Sequence, residues 1–198
     1  MKRVRSQKVG ILGGTFNPIH LGHLLIAQDA MEQARLDRVV FIPAASPAHK
    51  SAAGLVPARH RLRMVKLAIR GNDRFTVDDI EICRGGKSYA VDTVTELKRR
   101  WPHAKLFFII GADSLQELRS WYDIRRLAAQ CTFLALARQG CEQKPPRLRR
   151  LIHWQLVCGH PCDIASRDIR ARIACGQSIR YLVPNAALNY IERKKLYR

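Results

Sequence analysis

The chain has no run approaching the roughly 20 consecutive apolar residues that cross a bilayer, so no membrane partner is expected. Its opening, MKRVRSQKVGILGG, carries basic residues before an apolar run far too short for a secretory leader, and the expectation is a cytoplasmic protein. Six cysteines (Cys83, Cys131, Cys141, Cys158, Cys162, Cys175) lack any paired spacing, so reduced thiols are expected rather than a disulfide framework. Internal repeats, low-complexity tracts and linkers are also missing. At 198 residues this predicts one domain over 1–198, with a helical portion from about residue 163. Acidic residues are scarce: 16 against 35 Lys and Arg, a formal charge of +19. Such an excess suits a polyanionic partner or a phosphate-bearing substrate, and equally a generally basic surface. A basic nucleic-acid-binding protein is therefore the alternative from a different class. Against it, the sequence has no RNP-like aromatic motif, no zinc-finger spacing and no clear helix-turn-helix.

What is present alternates in kind. Residues 9–12 read as a buried strand, and 21–36 as a helix with Leu24, Leu25, Ala27, Met31 and Ala34 on one side. VVFIP (39–43) is a second strand, 57–69 a helix with its proline near the first turn, and 75–82 alternates like a strand. A helix over 89–100, an apolar strand LFFII (106–110), one or two short helices within 113–127 and a strand TFLALA (132–137) follow. Strands separated by helices predict an α/β fold, a Rossmann-like parallel sheet with helices on both faces. Ligands of such sheets bind beyond the carboxyl ends of the strands, which draws attention to the loops after Leu12, Pro43 and Ile110. The segment 138–150 reads as an exposed loop.

The loop after the first strand is the most informative: GILGGTFNPIHLGHL. Gly13 and Gly14 leave the backbone open to close approach, and the helix that follows offers N–H groups and a partial positive charge to phosphate. It lacks the Gly-Lys-Ser/Thr ending of a P-loop and is not Gly-x-Gly-x-x-Gly. Two histidines replace the lysine. His20 and His23 are three apart, so on a first helical turn they share a face, and Gly22 between them carries nothing to block it. Each imidazole can donate to phosphate oxygens, and a phosphate partner favours the protonated form.

Those residues resemble the nucleotidyltransferase signature G-x-F-x-P-x-H-x-G-H, through Gly14, Phe16, Pro18, His20, Gly22 and His23. Further segments narrow the resemblance to the bacterial nicotinate-nucleotide adenylyltransferases. PAASPAHK (43–50) is similar to their PxxxPPHK loop, DIEICRGGKSYAVDTVTEL (79–97) to their D-x-E-x-x-R-x-G-x-S-Y-T-x-D-T-L segment, and FIIGADSLQELRSWYD (108–123) to their G-A-D segment ending in Trp. SIRYLVPNAALNYI (178–191) resembles their C-terminal part. The similarity runs in order over nearly the whole chain.

The resemblance implies transfer of the adenylyl group of ATP to nicotinate mononucleotide, with release of pyrophosphate and with magnesium (Mg2+) as cofactor, carried mainly by the ATP phosphates rather than by protein ligands. Nicotinamide mononucleotide or phosphopantetheine are alternative acceptors of the same chemistry. It implies His20, His23 and Arg170 as catalytic groups. ATP would be held by Gly13, Gly14, Thr15, Phe16, His20, Gly22, His23, Gly111, Asp113, Ser166, Arg167, Ile169 and Arg170. The mononucleotide would meet His49, Lys50, Ser88, Tyr89, Ala90, Trp121 and Tyr122. Read without the family, Asp113 suits an N-cap, Trp121 a packing role and His49-Lys50 a solvated loop. The partners are then ATP and the mononucleotide, with no specific nucleic acid; the oligomeric state is left open, a homodimer included.

Two departures stand out. In DIASRDIRARI (163–173) the family pattern I-S-S/A-T-x-I-R is met by Ile164, Ser166, Ile169 and Arg170, but Ala165 and Arg167 replace Ser and Thr. Arg167 then either supplies charge in place of a hydroxyl or faces solvent. Ala90 replaces the Thr of S-Y-T, which bears on selection between the acid and the amide of the pyridine ring. His153, Cys158, His160 and Cys162 form the one metal-like cluster, HWQLVCGHPC, but not the two-halved CxxC pattern of structural zinc, and a strand-to-loop segment is the expectation there.

Overall fold

The computed structural model describes residues 6–47, 54–137, 148, 150–160 and 162–198, with the backbone alone at 47, 112 and 113. The predicted loop 138–150 falls almost wholly outside the described residues.

The chain alternates as its apolar pattern dictates. In order it forms β1 (Lys8–Gly14), α1 (Leu21–Gln33), β2 (Arg38–Pro43), β3 (Ser46–Pro47), α2 (Ala58–Ala68), β4 (Phe75–Val77), α3 (Ile80–Arg84), β5 (Lys87–Ser88) and α4 (Ala90–Arg100). Then come β6 (Lys105–Gly111), α5 (Ala112–Glu117), a 3₁₀ turn (Leu118–Ser120), α6 (Ile124–Ala128), β7 (Thr132–Ala137), β8 (Trp154–Cys158), α7 (Ser166–Ala174) and α8 (Asn185–Arg193). Six strands make one parallel sheet in the order β4-β2-β1-β6-β7-β8, and β3 pairs with β5 in a second small sheet. The register sets Ile11 opposite Phe108, Ile110 opposite Ala135 and Leu136 opposite Val157. Strands buried on both faces need apolar residues at every position, and LFFII is buried throughout, each such side chain contributing about 1.5–3 kcal/mol. The strand order reverses at β1 and β6, where sheets of this type place their ligands.

The described chain gathers into two compact units, each assembled from separate segments. The first comprises Met1–Leu12, Ile26–Val40 and Tyr89–Pro161; the second Gly13–Leu25, Phe41–Ser88 and Cys162–Arg198. In the first, Gly10 is required for contact, because a Cβ there would lie 2.7 Å from the Leu36 methyl and 3.1 Å from that of Ile109. In the second, Phe41 stands between Phe16 (ring centroids 6.0 Å apart) and Phe75 (5.3 Å).

Two boundaries differ from expectation for local reasons. The helix predicted to reach residue 36 stops at Gln33. Arg35 takes a left-handed φ of 52°, its N–H donates to the Glu32 carbonyl, and the Leu36 N–H donates to that of Met31 at 2.8 Å. That is a Schellman closure made without its usual glycine, so the sequence carried no stop signal. The stretch 75–82 is not one strand. After Val77 the Asp78 carboxylate accepts from the Ile80 N–H at 2.9 Å, an Asx turn that starts α3.

Candidate active site

The second unit carries the glycine-histidine loop. β1 delivers Gly13 and Gly14, and the Gly14 carbonyl accepts from the Ala44 N–H at 2.9 Å. Phe16 then adopts a left-handed φ of 48° and buries its ring over Gly14, where a Cβ would sit 3.0 Å from the ring. The missing side chain at Gly14 thus makes room for Phe16; the sequence reading had reserved it for a ligand. Gly13, by contrast, is exposed. The Asn17-Pro18 peptide is cis.

Asn17, only 5% exposed, is the hub of the loop. Its Nδ2 donates to the Gly54 carbonyl (2.9 Å), and its Oδ1 accepts from the Val56 N–H (3.3 Å) and the Tyr197 hydroxyl (2.9 Å). Its backbone carbonyl accepts from Arg170 Nη1 at 2.9 Å, and the next carbonyl, of Pro18, accepts from Ser166 Oγ at 2.8 Å. Arg61, 1% exposed, spends its guanidinium on three carbonyls: Thr15 (2.8 Å), Ala45 (3.0 Å) and Val56 (3.1 Å). Burial lowers its pKa.

α1 begins immediately after His20. The His23 N–H donates to the His20 carbonyl at 3.0 Å, and the His20 N–H donates to His23 Nδ1 at 3.2 Å. The second bond is half of a capping box with a histidine in place of Glu or Gln. It makes Nδ1 of His23 an acceptor, which assigns the proton of the neutral ring to Nε2 and makes that nitrogen a donor. The two imidazoles lie face to face, centroids 3.7 Å apart at 33°, and the Phe16 ring meets His23 edge-on at 5.0 Å. At Gly22 a Cβ would press on His20 Nδ1 (3.1 Å) and on Cys162 Sγ (3.2 Å), so only glycine leaves both in place.

His20 is 6% exposed, its Nδ1 is buried with no hydrogen-bond partner among the described residues, and burial lowers its pKa to about 4. Near neutral pH the ring is thus neutral unless a phosphate partner favours its protonated form. A sign follows. Between pH 6.5 and 4 the unfolded chain binds a proton here that the folded chain refuses, so stability is full above about 6.5 and falls as pH drops toward 4. The loss is about 3 kcal/mol from this one group. In urea melts at pH 7 and pH 4.5, His20→Asn is expected to lose less stability on acidification than the wild type by about 2 kcal/mol, most of that full loss; equal losses would remove His20 as the cause.

Ser88, expected beside the mononucleotide, accepts the Ala45 N–H at 3.0 Å, tying β5 to the loop after β2. In α7, Ser166 and Arg170 are brought to the loop, as above. Ile169 is fully buried in the core, leaving only its backbone for a ligand. Arg167 faces solvent and meets Asp168 at 3.3 Å, an exposed pair of little energetic weight. His49 and Lys50 lie outside the described residues.

The remaining expected residues belong to the first unit. Tyr89 precedes α4, which opens on Ala90, and its ring meets that of Tyr122 at 4.7 Å and 39°. Tyr122 is 61% exposed. Trp121 sets its edge against Phe108 at 5.7 Å, consistent with the packing role. Gly111 caps α5 and Asp113 is its second residue, so Asp113 is not the N-cap that its residue type suggested. Trp154–Cys158 forms β8, and the loop beyond it is held by Asp29, which accepts from the His160 N–H (2.8 Å) and meets His160 Nδ1 (2.7 Å). Among the described residues, no three His, Cys, Asp or Glu side chains gather as a metal site.

Sequence reasoning missed Asn17, Arg61 and Tyr197. Asn17 was in view, but it falls on an unspecified position of the G-x-F-x-P-x-H-x-G-H signature; Arg61 is one of several basic residues in α2, and nothing local marks the arginine that turns inward.

Residues 11–172 match the family described as Cytidylyltransferase-like, and the chain belongs to it. Within that class it is similar over 96% of its length to chains bearing the name "probable nicotinate-nucleotide adenylyltransferase": 44% identical to that of Geobacter sulfurreducens and 45% to that of Exiguobacterium sibiricum, with 98% of each relative covered. Its fold is that of the Plasmodium falciparum nicotinic acid mononucleotide adenylyltransferase complexed with NaAD (TM-score 0.78, 18% identity, 96% of this chain and 97% of that one). The same enzyme complexed with APC superposes with a TM-score of 0.76 at 17% identity, over 96% of this chain and 97% of that one. No described helix is long and apolar enough to cross a membrane.

Proposed function

We propose that this chain transfers the adenylyl group of ATP to nicotinate mononucleotide, forming nicotinate adenine dinucleotide and pyrophosphate in NAD biosynthesis. The observation that carries the reading is the His20–His23 pair at the start of α1, on a loop whose preceding Asn17 and Pro18 carbonyls are gripped by Arg170 and Ser166. Near-full-length similarity to named nicotinate-nucleotide adenylyltransferases supports the substrate pair.

The reaction asks little covalent chemistry of the protein. A phosphate oxygen of the mononucleotide attacks the α-phosphorus of ATP in line, the bond to the β-phosphate oxygen breaks, and pyrophosphate leaves with its electron pair. The nucleophile is already anionic, so no general base is required and no enzyme-bound intermediate forms. Catalysis consists of alignment and of donors aimed at charge that grows on the phosphates. His23 supplies an Nε2–H donor whose ring is fixed by its bond to the His20 amide. His20, which burial holds neutral near pH 7, gains affinity for a proton as a polyanion approaches, so ATP binding is coupled to proton uptake. Arg170 adds a fixed positive charge, and α1 adds its dipole.

Among the described residues, the side chains bonded to this loop are guanidinium, amide and hydroxyl groups. In this reading magnesium is carried mainly by the ATP phosphates, whose charge it would neutralise. The family resemblance assigns contacts with the acceptor to His49, Lys50, Ser88, Tyr89, Ala90, Trp121 and Tyr122; of these, Tyr89 and Tyr122 pair their rings within the first unit. Gly111 and Asp113 complete the ATP side in this reading.

The test is direct: protein, magnesium and ATP with nicotinate mononucleotide, nicotinamide mononucleotide or phosphopantetheine, and identification of the product. The acid mononucleotide is expected to give its dinucleotide plus pyrophosphate fastest. A preference for the amide would trace to Ala90, and no dinucleotide from either pyridine nucleotide would end the proposal.

A further inference from the structure

We propose that Tyr197 is a positioning residue for the phosphate loop: its hydroxyl holds the side-chain amide of Asn17, and through Asn17 it sets the loop backbone and Arg170 in place. This rests on the reading of residues 13–23 as the phosphate-binding loop.

Asn17 has three side-chain bonds: two tie it to the segment of Gly54 and Val56, and the third comes from Tyr197, 180 residues away. The Oδ1 atom accepts twice, which uses both of its lone pairs. Of those two bonds the one from the Val56 N–H is long at 3.3 Å, and the one from Tyr197 is short at 2.9 Å. The amide plane is therefore set by two bonds of equal length, the phenol on Oδ1 and the Gly54 carbonyl on Nδ2, both at 2.9 Å. What the amide plane controls lies one bond away. The Asn17 carbonyl receives Arg170, the Pro18 carbonyl receives Ser166, and His20 follows two residues later.

The backbone at Tyr197 is left-handed, as it is at the exposed Tyr181, so the bond to Asn17 carries the assignment and the strain only accompanies it. Its φ is +67°, in the left-handed region that tyrosine seldom occupies, at a cost of about 1 kcal/mol or more. Such a conformation persists where the surroundings reward it, and here it brings the hydroxyl to Asn17. The hydroxyl also remains a donor throughout the working pH range. Burial pushes its pKa up, and the opposing pull of Arg170 and Arg61 does not reverse that direction. A ring that merely filled space would need no hydroxyl.

Tyr197→Phe removes that one atom. With nicotinate mononucleotide and ATP, kcat is expected to fall about 10- to 100-fold while KM for each substrate stays within about threefold, since misplacement of aligned groups by a fraction of an ångström acts on turnover. Amide hydrogen exchange across 13–23 is expected to quicken by about fivefold, with no change across β6 and β7. In an Asn17→Ala background the same substitution is expected to lower kcat no further, because the pathway through Asn17 is already cut. Tyr181→Phe, at an exposed ring, is the control and is expected to behave as wild type.

A kcat at the wild-type level with a lowered Tm would make Tyr197 a structural residue only and overturn the proposal. So would an undiminished effect on kcat in the Asn17→Ala background. If the wild type forms no dinucleotide with any acceptor, the functional reading fails by itself. Exchange across 13–23 then decides the positioning role, and unchanged exchange in Tyr197→Phe refutes it.

Discussion

His23→Ala is expected to lower kcat by about 100- to 1000-fold, the usual cost of removing one donor from developing phosphate charge. The geometry says more than that a histidine is needed. His23 Nδ1 accepts the His20 N–H, its ring stacks on His20 at 3.7 Å and its edge meets Phe16 at 5.0 Å, so the ring is fixed before any substrate arrives. The same bond closes the start of α1, and losing a cap costs about 1 kcal/mol. In a chain of this size that lowers Tm by about 2–4 °C. His23→Gln separates the two duties. A glutamine oxygen can still accept the His20 N–H, so Tm is expected to stay near wild type, while kcat still falls because the oriented Nε2–H is gone. Steady-state kinetics beside thermal melts measure both. An alanine variant with kcat within fivefold of wild type would refute the assigned role.

The parallel sheet was legible because its information is local. LFFII and the FLALA of β7 (133–137) are wholly apolar, and only a strand covered on both faces accepts such runs. Where the reading erred, a side-chain-to-backbone bond or an unmarked turn decided the outcome: Asp78 capping Ile80 in one case, Arg35 standing where glycine is usual in the other.

The candidate site was legible to the extent that it consists of one contiguous loop. Gly-Gly, the two histidines and Gly22 marked the loop as a candidate phosphate site, and the structure brings the two imidazoles together at the head of α1. The reasons differ in part. Gly14 accommodates Phe16, and Gly22 accommodates His20 and Cys162. The supporting residues were illegible because each acts on a partner far away in the chain. Tyr197 serves Asn17 across 180 residues, and Arg61 serves Thr15 across 46. No spacing rule reaches so far.

Arg61 carries the other large expected effect. It leaves α2 to place a fork of donors among three loops, binding the carbonyls of Thr15, Ala45 and Val56 at 2.8, 3.0 and 3.1 Å. Backbone carbonyls in loops have no ladder partner, and a buried carbonyl left unpaired costs about 1–3 kcal/mol. Arg61→Met keeps much of the length and apolar stem but removes all three donors together. The expected loss is about 3–5 kcal/mol, the scale seen when one side of a buried charged network is removed. Such a loss corresponds to a Tm lower by about 10 °C. Arg61→Lys is expected to recover only part of it, since one ammonium cannot satisfy three carbonyls held in a planar fork. Turnover of the Met variant, measured well below its Tm, is also expected to fall, because Thr15 leads directly into the Phe16–Asn17 turn that presents His20. If Arg61→Met melts within about 2 °C of the wild type, the three carbonyls have found other partners and the fork is dispensable.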